Sequence, residues 1–190
     1  MMRKTITEIE SIVEKACAAE TNVFGYGIWT HHIKKVVATA KQIAPEFDAE
    51  PEIVEIAALL HDYASIKDES LYAEHHIHGP LEAERLLTEL NYPPEKIEAV
   101  KHCIAGHRAS VSVERQTPEA ECLANADAMV HIENVPSLLH YVYVTRGMAI
   151  DEGALWVTNK LKRSWKKLSP DMQDRLWGKY TAALEALTSK

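Results

Sequence analysis

Four residues of metal-binding type stand on segments that otherwise read as buried helix. His61-Asp62 follows directly on the apolar run 53–60, Asp127 sits between Ala126 and Ala128 in a second apolar run, and His32 precedes His61 by 29 residues. A carboxylate or an imidazole cation in an apolar helix costs free energy unless it is paired or bound to a metal. Two imidazoles and two carboxylates drawn to one point therefore predict a metal site, and with it hydrolytic chemistry. The donors are N and O, with no thiolate. Structural zinc sites are rich in cysteine, so this set suits a catalytic divalent transition metal, Mn, Fe, Co, Ni or Zn, and suits Mg less because of the imidazoles.

Adjacent side chains on an ideal helix point about 100° apart. His61 and Asp62 can face one ion only if that ion lies near the end of their helix and between neighbouring helices. His32 must then come from one neighbour and Asp127 from another. The sequence supplies such helices. Thr5-Ile6-Thr7-Glu8 fits a capping box ahead of helically spaced Ile9, Ile12, Val13 and Ala16. A helix bearing His32, Val36, Val37 and Ala40 is ended by Pro45. The run 53–60 could be a buried strand by composition, but its alanines and helix-rich surroundings favour a buried helix. Residues 63–73 read as a loop over the site, and a helix spans about 74–90. Pro93-Pro94 opens another helix, 109–116 is a loop, and Thr117-Pro118 and Ser169-Pro170 mark two more helix starts. Tyr141-Val-Tyr-Val144 has strand propensity, yet helix is expected there too. The fold class is all-α, as a single domain over 1–190 with a motif-bearing core at about 20–135 and C-terminal helices 136–190 packed on it.

Composition agrees with this. The chain has 190 residues, 46% of them hydrophobic, enough for one full-sized core. The net charge of −7 gives no general attraction to nucleic acid. The three cysteines, Cys17, Cys103 and Cys122, form no CxxC pair, which points to reduced thiols. No stretch reads as a signal peptide or membrane span, so a cytoplasmic protein is expected.

The ordered set of motifs resembles the HD-domain superfamily of metal-dependent phosphohydrolases. The matching pieces are His32-Ile-Lys-Lys-Val36 with Ala40, Ala57-Ala-Leu-Leu-His61-Asp62, His75-His-Ile-His-Gly79 with Ala83, Ile104-Ala-Gly-His107-Arg108, and Ala126-Asp127-Ala128. The resemblance covers roughly residues 20–135. It implies a helical fold and a metal held by His32, His61, Asp62 and Asp127. It also implies, for branches with two ions, a second site at His75 and His107 with Asp62 as the bridge; His78 and His102 are further candidates. Where several branches carry a lysine three residues after the aspartate, this chain has Ser65, and its nearest lysine is Lys67. The glycine-proline signature of the cyclic-dinucleotide branch is missing after Arg108-Ala109.

Lys35, one turn beyond His32, together with Lys67 and Arg108, could reach an anionic substrate, though each also suits a solvated surface. Tyr26 and Trp29 read as core or pocket wall, and Trp156, Trp165 and Trp177 as packing among the C-terminal helices. The basic run Lys160, Lys162, Arg163, Lys166 and Lys167 reads as a solvated helix face. The expectation is a metal-dependent phosphohydrolase with one ion or two, acting through metal-activated water on a nucleotide or other small phosphate ester, with Asp62 as the central catalytic residue. Two other classes fit the same residues: a di-iron oxygenase on the same scaffold, and a non-catalytic nucleotide-binding regulatory module.

Overall fold

Ten α-helices follow one another among the described residues, 2–108 and 114–188 of the computed structural model, with no strand between them. They are α1 (Met2–Ala18), α2 (Lys34–Ile43), α3 (Pro51–Leu60), α4 (Tyr63–Lys67), α5 (His75–Glu89), α6 (Pro94–Gly106), α7 (Pro118–Glu133), α8 (Val135–His140), α9 (Ile150–Trp165) and α10 (Pro170–Thr188). Helix α7 is the hub. It packs against α2, α3, α6, α9 and α10, and Ala120 and residues 122–132 are all buried. A helix apolar on every side belongs in a core, and its alanines let five neighbours approach it. Asp127 lies at the middle of this helix, so the fold places a carboxylate where water is scarce.

Helix α3 is similarly buried from Ile53 to Leu60. The helical reading of this run holds: it is ten residues long, opened by Pro51 at its first turn. It stops just before His61, and Asp62 takes the bridge conformation (φ −107°, ψ 3°). This break frees the two adjacent side chains from ideal helical divergence. Helix α5 crosses close to it. A Cβ at Gly79 would lie 2.9 Å from Ile104 Cγ2 and 3.6 Å from the His61 carbonyl oxygen, so only glycine lets α5 bring His75 this near.

Two local expectations are corrected, the capping box and the 63–73 loop, while helix at 141–144 is borne out. Residue 5 is already inside α1, which begins at Met2; Glu8 pairs with Lys4 one turn back, at 3.9 Å, instead of closing a capping box. Residues 63–73 are not a loop. Tyr63, Ala64, Ser65 and Ile66 are buried and form α4, and a 3-10 segment, Glu69–Glu74, follows, its start capped by Asp68 accepting from Ser70 N at 2.9 Å. The 141–144 strand propensity is overridden: Tyr141–Thr145 is a π-helical turn, as is Trp29–Ile33. Of the expected 109–116 loop, 109–113 lie outside the described residues and 114–116 have no regular structure. Thr117 caps α7 as expected, its side chain accepting from Ala120 N at 3.3 Å.

Candidate metal centre

Six side chains named from sequence meet at one place: His32 from the π-helical turn, His61-Asp62 from the end of α3, His75 from the start of α5, His107 just past α6 and Asp127 from α7. They form two groups of three potential ligands, His32, His61 and Asp127, and Asp62, His75 and His107. Asp62, a member of the second, also faces the first. Its Oδ2 lies 3.3 Å from His32 Nε2 and 3.3 Å from His61 Nε2, while its Oδ1 lies 3.8 Å from His107 Nε2 and 3.9 Å from His75 Nε2. Within the first group, His32 Nε2 is 3.1 Å from His61 Nε2 and 3.5 Å from Asp127 Oδ1.

The donor set fits a cation. The Nδ1 atoms of His61, His75 and His107 donate to the carbonyls of Ala58, Tyr72 and Ile104 at 2.7, 2.7 and 2.5 Å. Each acceptor is three residues back in the chain. A carbonyl can only accept, so these bonds fix the proton on Nδ1 and turn a lone pair of each neutral ring, at Nε2, toward the centre. Lone pairs and carboxylate oxygens converging in a buried space repel one another until positive charge stands between them. Ligands about 2.0–2.2 Å from a first-row metal are themselves about 3.0–3.5 Å apart; the two His32 separations of the first group match this, while its His61–Asp127 separation, 4.0 Å, and those from Asp62 to His75 and His107 are wider.

Without a metal, protons carry that positive charge. Burial works against the charge of Asp62, but His61, His107 and His32 outweigh it and hold its carboxyl well below the ordinary range. Burial likewise disfavours charge on Asp127, and His131, Lys167, His32 and His61 reverse this. His61 is raised, Asp62 and Asp127 prevailing over its complete burial. Burial lowers His75, and pushes His107 down to about 4.

Three residues of the site escaped the sequence reading. Lys167 is not on a solvated face: it is buried, and its Nζ donates to Asp127 Oδ2 at 2.5 Å, leaving Oδ1 for the histidines. Its neighbours Lys162, Arg163 and Lys166 are exposed, as expected. His131, one turn after Asp127 on α7, stacks on His32 with ring centroids 5.0 Å apart and meets Ser164 Oγ at 3.2 Å. Its spacing of four from Asp127 was the available signal. Lys160 lines a cavity of about 520 Å³ that opens beside His32 and Asp62. Trp156 and Tyr141 line this cavity as well, so Trp156 is not merely packing.

None of the three basic residues put forward for substrate lines this cavity. Lys35 is exposed and does not line the cavity. Lys67 is drawn to Glu82, at 3.1 Å. Arg108 donates to the Ala73 carbonyl and meets His76 Nδ1 at 2.8 Å, beside the second group. Ser65 is buried and its hydroxyl has no hydrogen-bond partner among the described residues. Trp29 is core and Tyr26 is exposed, donating to Glu14 at 2.7 Å.

A helical bundle that delivers His and Asp from several elements to two adjoining groups of potential metal ligands defines a recognisable class of fold. The family model "HD domain" matches residues 29–130, over half of the chain, and the protein belongs to that family. Its fold resembles a predicted HD superfamily hydrolase from an uncultured Thermotogales bacterium, at 20% identity and a TM-score of 0.59 over 95% of this chain and 88% of that one. It also resembles Bacillus subtilis YpgQ, solved in complex with ADP, at 19% identity and a TM-score of 0.61 over 97% of this chain and 98% of that one. No protein of curated function matches the sequence.

Proposed function

We propose that the protein is a metal-dependent phosphohydrolase acting on a nucleotide or related small phosphate ester. The observation that carries this is the placement of Asp62, with one oxygen toward each of two three-donor groups. Membership of the HD domain family supports metal-dependent hydrolysis, and the ADP bound to the similarly folded YpgQ supports the nucleotide class. His32, His61 and Asp127 would hold one divalent transition metal, and His75 and His107 a second, with Asp62 between them. When bound, such ions polarise a phosphoryl oxygen and bring the pKa of water to near 7.

The chain itself does the rest. The carbonyls of Ala58, Tyr72 and Ile104 hold three rings in the ligating tautomer, so the site is organised before any substrate arrives. Lys167 restrains Asp127 to a single free oxygen. The cavity reaches the centre beside Asp62, the sole acidic residue among those that line it; its basic groups are Lys160 and the imidazoles of His31, His32, His131 and His140. In a chain of net charge −7, this local reversal favours an anionic substrate. Burial lowers His131 well below the ordinary imidazole range, against the pull of Asp127.

A panel of nucleotides and simple phosphate esters, assayed with Mn, Co, Ni and Mg, tests the proposal. Release of phosphate or pyrophosphate that requires added metal is expected. Full turnover by metal-free protein would overturn it, and dioxygen consumption by an iron-loaded sample would favour the oxygenase instead.

A further inference from the structure

Helix α9 lays three side chains at steps of four residues along the cavity side, Trp156, Lys160 and Ser164. Ser164 marks the metal end, because its hydroxyl meets His131, which stacks on His32. Trp156 marks the other end. Its ring lies 5.7 Å from that of Tyr141, which stacks in turn on Phe24 at 5.5 Å, and all three line the cavity. With a rise of 1.5 Å per residue, Lys160 stands about 6 Å along the helix from each end. It is partly buried and makes no hydrogen bond or ion pair among the described residues, whereas Lys167 on the same stretch is fully engaged with Asp127. A half-buried ammonium without an anion, between an aromatic wall and a metal centre, is a charge waiting for a ligand.

The geometry points to a subsite for the part of the substrate that does not react: a planar ring against Tyr141 and Trp156, and an anionic group at Lys160, next to the phosphoryl group held at the metal centre. The substrate class is then a nucleotide bearing at least one phosphate beyond the reacting one, entered with its base outward. The inference rests on the phosphohydrolase reading only for what happens at the metal end.

Calorimetric titration of the Mn-loaded 190-residue chain with three probes tests the subsite without relying on turnover: the methylene-bridged analogue of ADP, adenosine, and methylenediphosphonate. The ADP analogue should bind more tightly than either fragment. Lys160→Met should weaken the analogue and methylenediphosphonate about tenfold, the loss of one charge-assisted contact, and leave adenosine unchanged. Tyr141→Leu should weaken the analogue and adenosine about fivefold to tenfold, in line with base stacking on an aromatic ring, and spare methylenediphosphonate. Equal binding of analogue and methylenediphosphonate, or wild-type affinity in well-folded Lys160→Met, would overturn the subsite. An inactive protein that keeps this ranking of probes would overturn the hydrolase reading and leave the subsite standing. An active one with a flat ranking would do the reverse.

Discussion

Replacing Lys167 with Met separates charge from packing at the metal centre. Methionine keeps the apolar stem and removes only the ammonium. In the protein that ammonium is 2.5 Å from Asp127 Oδ2, with the two side chains 6% and 5% exposed. Removing one partner of a buried ion pair costs about 3–5 kcal/mol, because the other charge is left without compensation. The imidazoles of His32 and His131, each 3.5 Å from Asp127 Oδ1, remain beside the carboxylate and offset part of this, which favours the lower end. For a chain of this size each kcal/mol moves Tm by about 2–4 °C, so metal-stripped Lys167→Met should melt about 6–12 °C below the wild type. A divalent ion among His32, His61 and Asp127 returns positive charge to the same carboxylate. The deficit should therefore shrink at saturating Mn, and by linkage the ion should stabilise the variant more than it stabilises the wild type. Scanning calorimetry with chelator and with Mn measures all four values. An equal loss of Tm in both conditions would show that Lys167 contributes packing alone, and no loss in chelator would refute the ion-pair reasoning altogether.

Asp62→Ala should abolish hydrolysis while helical circular dichroism is retained, since Asp62 belongs to the second group and its other oxygen lies 3.3 Å from His32 and His61 of the first; near wild-type turnover would refute its role. His75→Ala and His107→Ala should each raise the Mn concentration needed for activity by at least the about 10–100-fold seen when only an outer-shell partner is lost. Unchanged metal stoichiometry in both would count against a second ion. The metal-stripped protein should lose stability as pH falls from about 6.5 toward 4. Burial pushes His107 from 6.5 down to about 4, so the unfolded chain takes up this proton first, and His75 and His131 are lowered in the same sense. His61, raised, opposes them. A Tm of stripped protein that is flat or rising across this range would contradict the sign.

The motif spacing already marked the side chains that meet as candidate ligands. An aspartate flanked by alanines in an apolar run, or a His-Asp pair after one, violates the pattern of a buried helix so sharply that a partner is required, and this violation can be read without coordinates. Helix α3 and helix α7 were legible for the same reason, each carrying an apolar run with few charges, and α7 a clear start at Thr117-Pro118. What could not be read was which side of a helix faces which neighbour. The run from Lys160 to Lys167 has the composition of a solvated face, yet the crossing of α9 over α7 turns Lys160 into the cavity and the turn after α9 buries Lys167 against Asp127. Lys67 and Lys35 look equally suited to an anion and point elsewhere. Local propensity also lost to packing at 63–66, where burial of Tyr63 and Ile66 made helix of an expected loop. The sequence by itself determined the donors, because their chemistry is written in residue type and apolar flank. Only the tertiary structure decided how Asp62 divides its two oxygens and which lysines serve the site, because both depend on contacts between separate segments of the chain, such as Asp62 with His107 and Lys167 with Asp127, which no local spacing records.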